Sequence, residues 1–362
     1  MLYDNEEKIK DLLAGSLFLG GGGGGSPEEG YARAMSALKQ GKVELISLQE
    51  LRQCHKNSGK GYIVTFSGVG SPASESAFYS DQVYPRITKL IQKQLDGPII
   101  GVIPCEIGAS SSFETFIPAV LLDVPIIDAP CNGRAHPLGT MGSLGLERGK
   151  NHTIQAAAGG RENTDDYVEM FAEGSVEHTS ALVRNAASLA GGAVAVCRNP
   201  VSLSYLEEHG AKGAYSLATE IGHLLRSGTD FLAGIEKVLA HLGGKRLCCG
   251  KVSDFQLSTD NALDYGSFSI AGYRIGFCNE FMTVSTESSR LYTFPDLITA
   301  FDIDSKTIVS TAQIENDQKL LLTAVPYKNL PLGAGLKNKK NYEPLERSTG
   351  EAFICYLDSL LK

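Results

Sequence analysis

No C-x-x-C pair occurs among the eight cysteines, so the sequence supports neither a zinc ribbon nor a thioredoxin-like motif. No apolar run reaches the roughly 18 residues of a membrane span. The longest candidate, 118–127, is interrupted by Asp123 and Pro125. Basic residues are in deficit: 33 Lys and Arg stand against 41 Asp and Glu, a net charge of −8. That balance argues against nucleic acid or an anionic membrane as partner, since both demand clustered cations. The one dense basic stretch, Lys337-Asn338-Lys339-Lys340, reads as a solvated loop. No Gly-Lys-Ser/Thr follows a glycine-rich turn, so there is no P-loop and no nucleotide is expected. Residues 1–10 are acidic and amphipathic, with no apolar core of a signal peptide. With free thiols, this makes a cytoplasmic location the expectation.

What is present is the composition of a folded protein, 43% hydrophobic and 20% charged, over 362 residues, a length that suits two domains. The fold class expected is α/β: an N-terminal wound domain with a mainly parallel sheet, followed by a C-terminal β-rich α+β domain. The division is placed at 1–163 and 164–362, the second part helical over 164–243 and β-rich from 246. A first helix is expected over 5–14, capped by Asp4 and ended by Gly15. A second has Ser26 as N-cap, Pro27 at N1 and Glu29 at N3. Apolar, β-branched runs at 43–48, 62–66, 98–104 and 124–127 alternate with helical patterns, as in βαβ units. Thr164-Asp165-Asp166 suits the start of a long helix running to Leu189, and 216–242 reads as helix with Gly222, Gly228 and Gly234 as breaks. From Arg246 onward short alternating runs dominate, the period of strands.

Four constellations could carry chemistry. Six glycines, Gly20 to Gly25, precede the helix at Ser26. Their backbone amides can wall a small-ligand pocket, with Gly22, Gly23, Gly24 and Gly25 as the contacting residues. Glu28 and Glu29 on the following turn disfavour a pyrophosphate. The second constellation, Pro104-Cys105-Glu106-Ile107-Gly108, follows the run 98–104, where α/β sheets place their sites. Glu106 can act as a base. Cys105 is weighed as a nucleophile but read as a buried structural thiol, since no histidine adjoins it in sequence. The third, Asp128 to Pro137, packs Asp128, Cys131, Asn132, Arg134 and His136 together. Arg134 offers a fork for a carboxylate or imide oxygen, and His136 titrates near neutrality. Asp128, Cys131 and His136 are candidate ligands if a divalent ion is used. The fourth holds Asn279-Glu280 and Asp296, polar groups between apolar neighbours, which cost free energy unless paired or used. The isolated His55, His209, His223 and His241 read as surface residues.

In this order the segments resemble the S-methyl-thiohydantoin desulfurase family, which is associated with hydantoinases. The glycine tract with Ser26-Pro27, Glu106-Ile107-Gly108, Asp128 with Gly133-Arg134-Ala135 and Pro137, and Asn279-Glu280 with Pro295-Asp296-Leu297-Ile298 carry the likeness. The chain departs from the family pattern at Pro130, where a second acidic residue is usual, and at Ala109 to Ser112, where a Gly and an Asn are common. The resemblance implies hydrolysis of a hydantoin-like ring or cyclic isothiourea. Glu106, Asp128, Arg134 and His136 would be catalytic; the glycines, Asn132, Asn279, Glu280 and Asp296 would bind substrate in a homo-oligomer. A non-catalytic subunit of a hydantoinase or oxoprolinase, or a nucleotide-dependent enzyme, are the alternatives.

Overall fold

A computed structural model describes residues 1–55, 60–70, 77–146, 152–228, 230–260 and 263–361. The first sheet has eight strands: β1 (Leu2–Tyr3), β2 (Val43–Ile46), β3 (Tyr62–Gly70), β4 (Ile99–Pro104), β5 (Ile126–Ile127), β6 (Thr153–Gly159), β7 (Val168–Gly174) and β8 (Ala193–Ser202). Their order is β1-β2-β5-β4-β3-β8-β6-β7. The β2-β5, β5-β4 and β4-β3 pairs are parallel, as a wound α/β domain requires. Antiparallel strands flank them, so the sheet is mixed. Helices α1 (Glu6–Gly20), α2 (Pro27–Gln40), α3 (Leu48–Cys54), α4 (Val83–Gln92), α5 (Phe116–Leu122), α6 (Val176–Leu189), α7 (Leu203–His209), α8 (Ala214–Arg226) and α9 (Phe231–Leu242) surround it or lead away from it.

The second sheet is antiparallel throughout: β9 (Lys245–Asp260), β10 (Leu263–Ile270), β11 (Tyr273–Cys278), β12 (Glu280–Ser285), β13 (Arg290–Thr293), β14 (Leu297–Asp302), β15 (Thr307–Val309) and β16 (Lys319–Val325). Its order is β13-β12-β11-β10-β9-β16-β14-β15. A last helix, α10 (Glu343–Thr349), follows. The β-rich character expected from 246 is therefore present.

Three local expectations are corrected. The stretch 164–189 is not one helix: β7 occupies Val168–Gly174, and α6 begins at Val176 with Ser175 accepting from the His178 amide. The first sheet accordingly runs on to Ser202. The first helix starts with Asn5, not Asp4, as its cap and continues through Gly15 to Gly20. Gly15 is there for packing. A Cβ on it would lie 1.7 Å from the Ala218 carbonyl oxygen, and one on Gly222 would lie 1.7 Å from that of Asp11. The two glycines let α1 and α8 touch backbone to backbone. Gly222 and Gly234 thus sit inside helices, and the break falls after Arg226.

Helix α1 joins the halves. Ile9, Leu12, Phe18 and Leu19 are fully buried and share one apolar cluster with Phe66 of the first sheet and Phe301, Leu321 and Val325 of the second. Each such side chain contributes about 1.5–3 kcal/mol of burial. No helix among the described residues is long and apolar enough to cross a membrane.

Candidate functional site

The parallel strands β4 and β5 end side by side, and the chain leaves each in a loop. Backbone bonds tie the loops together: the Cys131 amide donates to the Pro104 carbonyl at 3.1 Å, and the Ile107 amide to that of Asn132 at 3.1 Å. Cys105 and Glu106 are thereby set beside His136. Strand β8 lies next to β3 with Arg198 opposite Thr65, which brings a guanidinium to the same place.

The Arg198 Nη2 donates to the Cys105 Sγ at 3.3 Å, and the His136 Nε2 stands 3.9 Å from that sulfur. A Glu106 oxygen lies 3.3 Å from the same Nε2 and accepts from the His136 backbone amide at 3.0 Å; its other oxygen accepts from Ser111 at 2.8 Å. Cys105 is 7% exposed and His136 8%. Burial alone would push the thiol pKa up, but Arg198 and His136 outweigh it, and the pKa falls below the usual thiol value. Burial pulls the imidazole down, yet Glu106 and Cys105 raise it to about 9. Both shifts act in the direction of a thiolate–imidazolium pair. Gly142 is needed beside it: a Cβ there would stand 2.2 Å from the sulfur and 2.7 Å from the His136 Nε2.

The second half of the site comes across the boundary between the sheets. Arg134 is completely buried. It donates to the carbonyls of Ala135, Pro295 and Asp296, with its guanidinium carbon 4.6 Å from the centre of the Phe294 ring, and its Nη2 has no partner. Burial lowers its pKa to about 10 against the pull of Glu280 and Asp296. Glu280 is 2% exposed. Its Oε2 lacks a partner, as does the His136 Nδ1.

The glycine tract wraps these groups by having no side chains. Added Cβ atoms would approach the Arg134 Nη2 to 2.8 Å at Gly21 and a Glu280 oxygen to 2.1 Å at Gly23; at Gly24 one would meet the Gly108 Cα at 2.5 Å. The carbonyls of the tract are engaged: Gly21 accepts from the Phe281 amide, Gly22 from the Thr311 amide and Gly24 from the Ser110 amide.

The structure thus gathers Glu106, His136, Arg134 and Glu280 with the tract from Gly21 to Gly24. Other expected residues are engaged in holding the fold. Asp128 accepts from the Tyr215 and Ser216 amides and from the Ser216 hydroxyl at the start of α8, and burial raises its pKa. Asn279 accepts from the Asp264 amide at 2.9 Å and shapes the β11–β12 turn. Asp296 accepts from the Thr293 and Tyr327 amides. Asn132 accepts from the Gly133 and Gly333 amides, leaving its Nδ2 without a partner. The candidate metal ligands do not converge: Asp128 faces α8, Cys131 faces the Thr65 hydroxyl at 3.3 Å, and His136 faces Cys105 and Glu106. Among the described residues no three His, Cys, Asp or Glu side chains form a metal-binding group.

Sequence reading passed over Arg198, Ser111 and Gly142, and set Cys105 aside as structural. Arg198 carried a signal: it is a lone cation ending the apolar run Ala193–Cys197, and buried arginines are paired or used.

Residues 7–166 match the family model described as S-Me-THD-like, N-terminal domain, and residues 174–330 that described as S-Me-THD-like, C-terminal domain. No curated protein matches the chain. The fold is similar to an X-ray crystal structure of a protein from Chromobacterium violaceum, with 18% identity, 96% of each chain covered and a TM-score of 0.67.

Proposed function

Because the chain belongs to the S-Me-THD-like family, we propose that it hydrolyses a cyclic isothiourea of the S-methyl-thiohydantoin class, with Cys105 as the nucleophile. The observation that carries this reading is the buried thiol held between the Arg198 guanidinium and the His136 imidazole, with Glu106 setting the imidazole. A nucleophile, a base and a third group that orients the base make the arrangement used for covalent catalysis.

In the reaction the thiolate adds to C2 of the ring. A bond forms between the sulfur and C2, and the electron pair of the C=N bond moves onto the ring nitrogen, which takes up a proton. The pair then returns, that nitrogen gives its proton back, and the methylthio group leaves C2 with a proton from the His136 imidazolium, as methanethiol. The ring is now joined to Cys105 as a thioether. Water adds to the same carbon, and His136, now neutral, takes its proton. The C=N electron pair moves to the ring nitrogen, which takes up a proton and this time keeps it. The C2 hydroxyl gives up its remaining proton as the carbonyl forms, the bond to the Cys105 sulfur breaks, and the thiolate and the hydantoin are released. The net change is substrate plus water to hydantoin plus methanethiol. Glu106 positions His136 and steadies its positive charge, and Asp128 serves the fold by capping α8.

The test is turnover of S-methyl-thiohydantoin, followed by methanethiol release, in the wild type, Cys105→Ala and His136→Gln. Both variants should lose turnover, and a rapid quench of the wild type should give the Cys105 peptide carrying the ring without its methylthio group. Undiminished turnover by Cys105→Ala would overturn the reading.

A further inference from the structure

Glu280 reaches the site from the second sheet, facing Glu106, Arg134 and His136, and has no role in the steps above. It follows a one-residue turn in which Asn279 takes a left-handed backbone at φ 57°. The turn is pinned from three directions: the Asn279 amide donates to the Asp264 carbonyl at 2.7 Å, the Asp264 amide donates back to the Asn279 side chain at 2.9 Å, and the Thr311 hydroxyl donates to the Asn279 carbonyl. So anchored, the carboxyl is pressed against Gly23 on one oxygen and left without a partner on the other. The charged and titratable groups facing it are Glu106 and His136 from the β4 and β5 loops, Arg134 from the same β5 loop, and Cys278 from its own hairpin. A buried carboxylate in that position would lack a hydrogen-bond donor for Oε2 and would face the negative charge of Glu106. A neutral carboxylic acid would instead present an O–H to whatever enters.

We propose that Glu280 is the acid that protonates the ring nitrogen of the substrate as Cys105 adds to C2. The inference rests on the reading of Cys105 as nucleophile. As the sulfur–carbon bond forms, the C=N electron pair moves to nitrogen, and that nitrogen takes the proton from the Glu280 Oε2. When the methylthio group departs and the double bond re-forms, the proton returns to the carboxylate, so Glu280 ends the first half-reaction as it began. In the second the ring nitrogen keeps the proton, and the carboxylate recovers one from the C2 hydroxyl as the carbonyl forms. The two sheets would then divide the addition between them, the first supplying the nucleophile and the second the acid. Burial and the Glu106 charge suit Glu280 to the task by holding its carboxyl protonated up to about pH 8.

The test is kcat/KM against pH for S-methyl-thiohydantoin with the wild type, Glu280→Gln and Glu280→Asp. Gln keeps the shape and a hydrogen-bond donor but has no proton to give. Loss of general acid catalysis should lower kcat/KM about a hundredfold or more. The wild-type profile should fall above about pH 8. In Glu280→Gln that limb should vanish, leaving only the later decline set by His136 near 9; Glu280→Asp should keep a limb of its own. A Glu280→Gln enzyme as active as the wild type, or slow but with the limb still near 8, would overturn the inference. Those outcomes leave the thiol reading intact, whereas undiminished turnover by Cys105→Ala would remove that reading.

Discussion

Replacing Arg198 by Met should make Cys105 a poorer nucleophile by a calculable amount. The guanidinium donates to the sulfur at 3.3 Å in a buried place. A hydrogen bond to a charged group is worth about 1.5–3 kcal/mol, or roughly one to two pKa units at 1.36 kcal/mol each. The sign follows from the folded protein: Arg198 favours the ionised thiol, so its loss raises the thiol pKa. At pH values below the wild-type pKa the thiolate fraction falls about ten- to a hundredfold. A more basic thiolate attacks faster, with a sensitivity of about 0.4–0.5 per unit. The net loss in rate against a small disulfide reagent should therefore be about three- to fifteenfold. Mass mapping of the Cys105 peptide at several pH values reads this, with exposed Cys54 as internal reference. If the pH curve of Cys105 in Arg198→Met overlaid that of the wild type, the cation would not be what ionises the thiol, and the electrostatic account of the site would fail.

Three further outcomes follow from the packing. Gly142→Ala should abolish turnover while largely preserving the thermal melt, since its Cβ would displace the Cys105 sulfur and the His136 ring; normal kcat would show that the pair has slack the distances deny. Asp128→Ala should lower stability by about 1–2 kcal/mol, the usual cost of a lost helix cap, with turnover per folded molecule retained; urea denaturation beside activity separates the two. Arg134→Ala should cost about 3 kcal/mol or more in a urea titration, because it leaves the Pro295 and Asp296 carbonyls unpaired in the interior. An unchanged midpoint with lost turnover would instead assign that guanidinium to substrate alone.

Much of the fold was legible from periodicity. The β-rich half announced itself in alternating residues, as around Val252, buried between exposed Lys251 and Ser253. Strand β7 had the same alternation, with Ala172 buried and Glu169, Phe171 and Glu173 exposed. The capping look of Thr164-Asp165-Asp166 masked it, because a helix-start signal is local and says nothing of what the sheet recruits. Gly15 and Gly222 were read as stops, although each is required by the other across more than half the chain. The site was legible where its residues adjoin in sequence, at Glu106 and along 128–137. Cys105 was set aside because its chemistry depends on His136 and Arg198, 31 and 93 residues away, and no local pattern records such neighbours.

The clasp of α1 between the two sheets bears on how the protein is made. Its partners Ala218 and Phe301 emerge from the ribosome long after it does, so the nascent helix carries bare apolar side chains for most of translation. A chain released after Ser202 would already hold Cys105, Glu106, His136 and Arg198, yet Glu280 and the carbonyls that grip Arg134 would be missing. Synthesis of the first sheet therefore completes the thiol and the groups that surround it, and the second sheet adds afterwards the carboxyl and the carbonyls that enclose them.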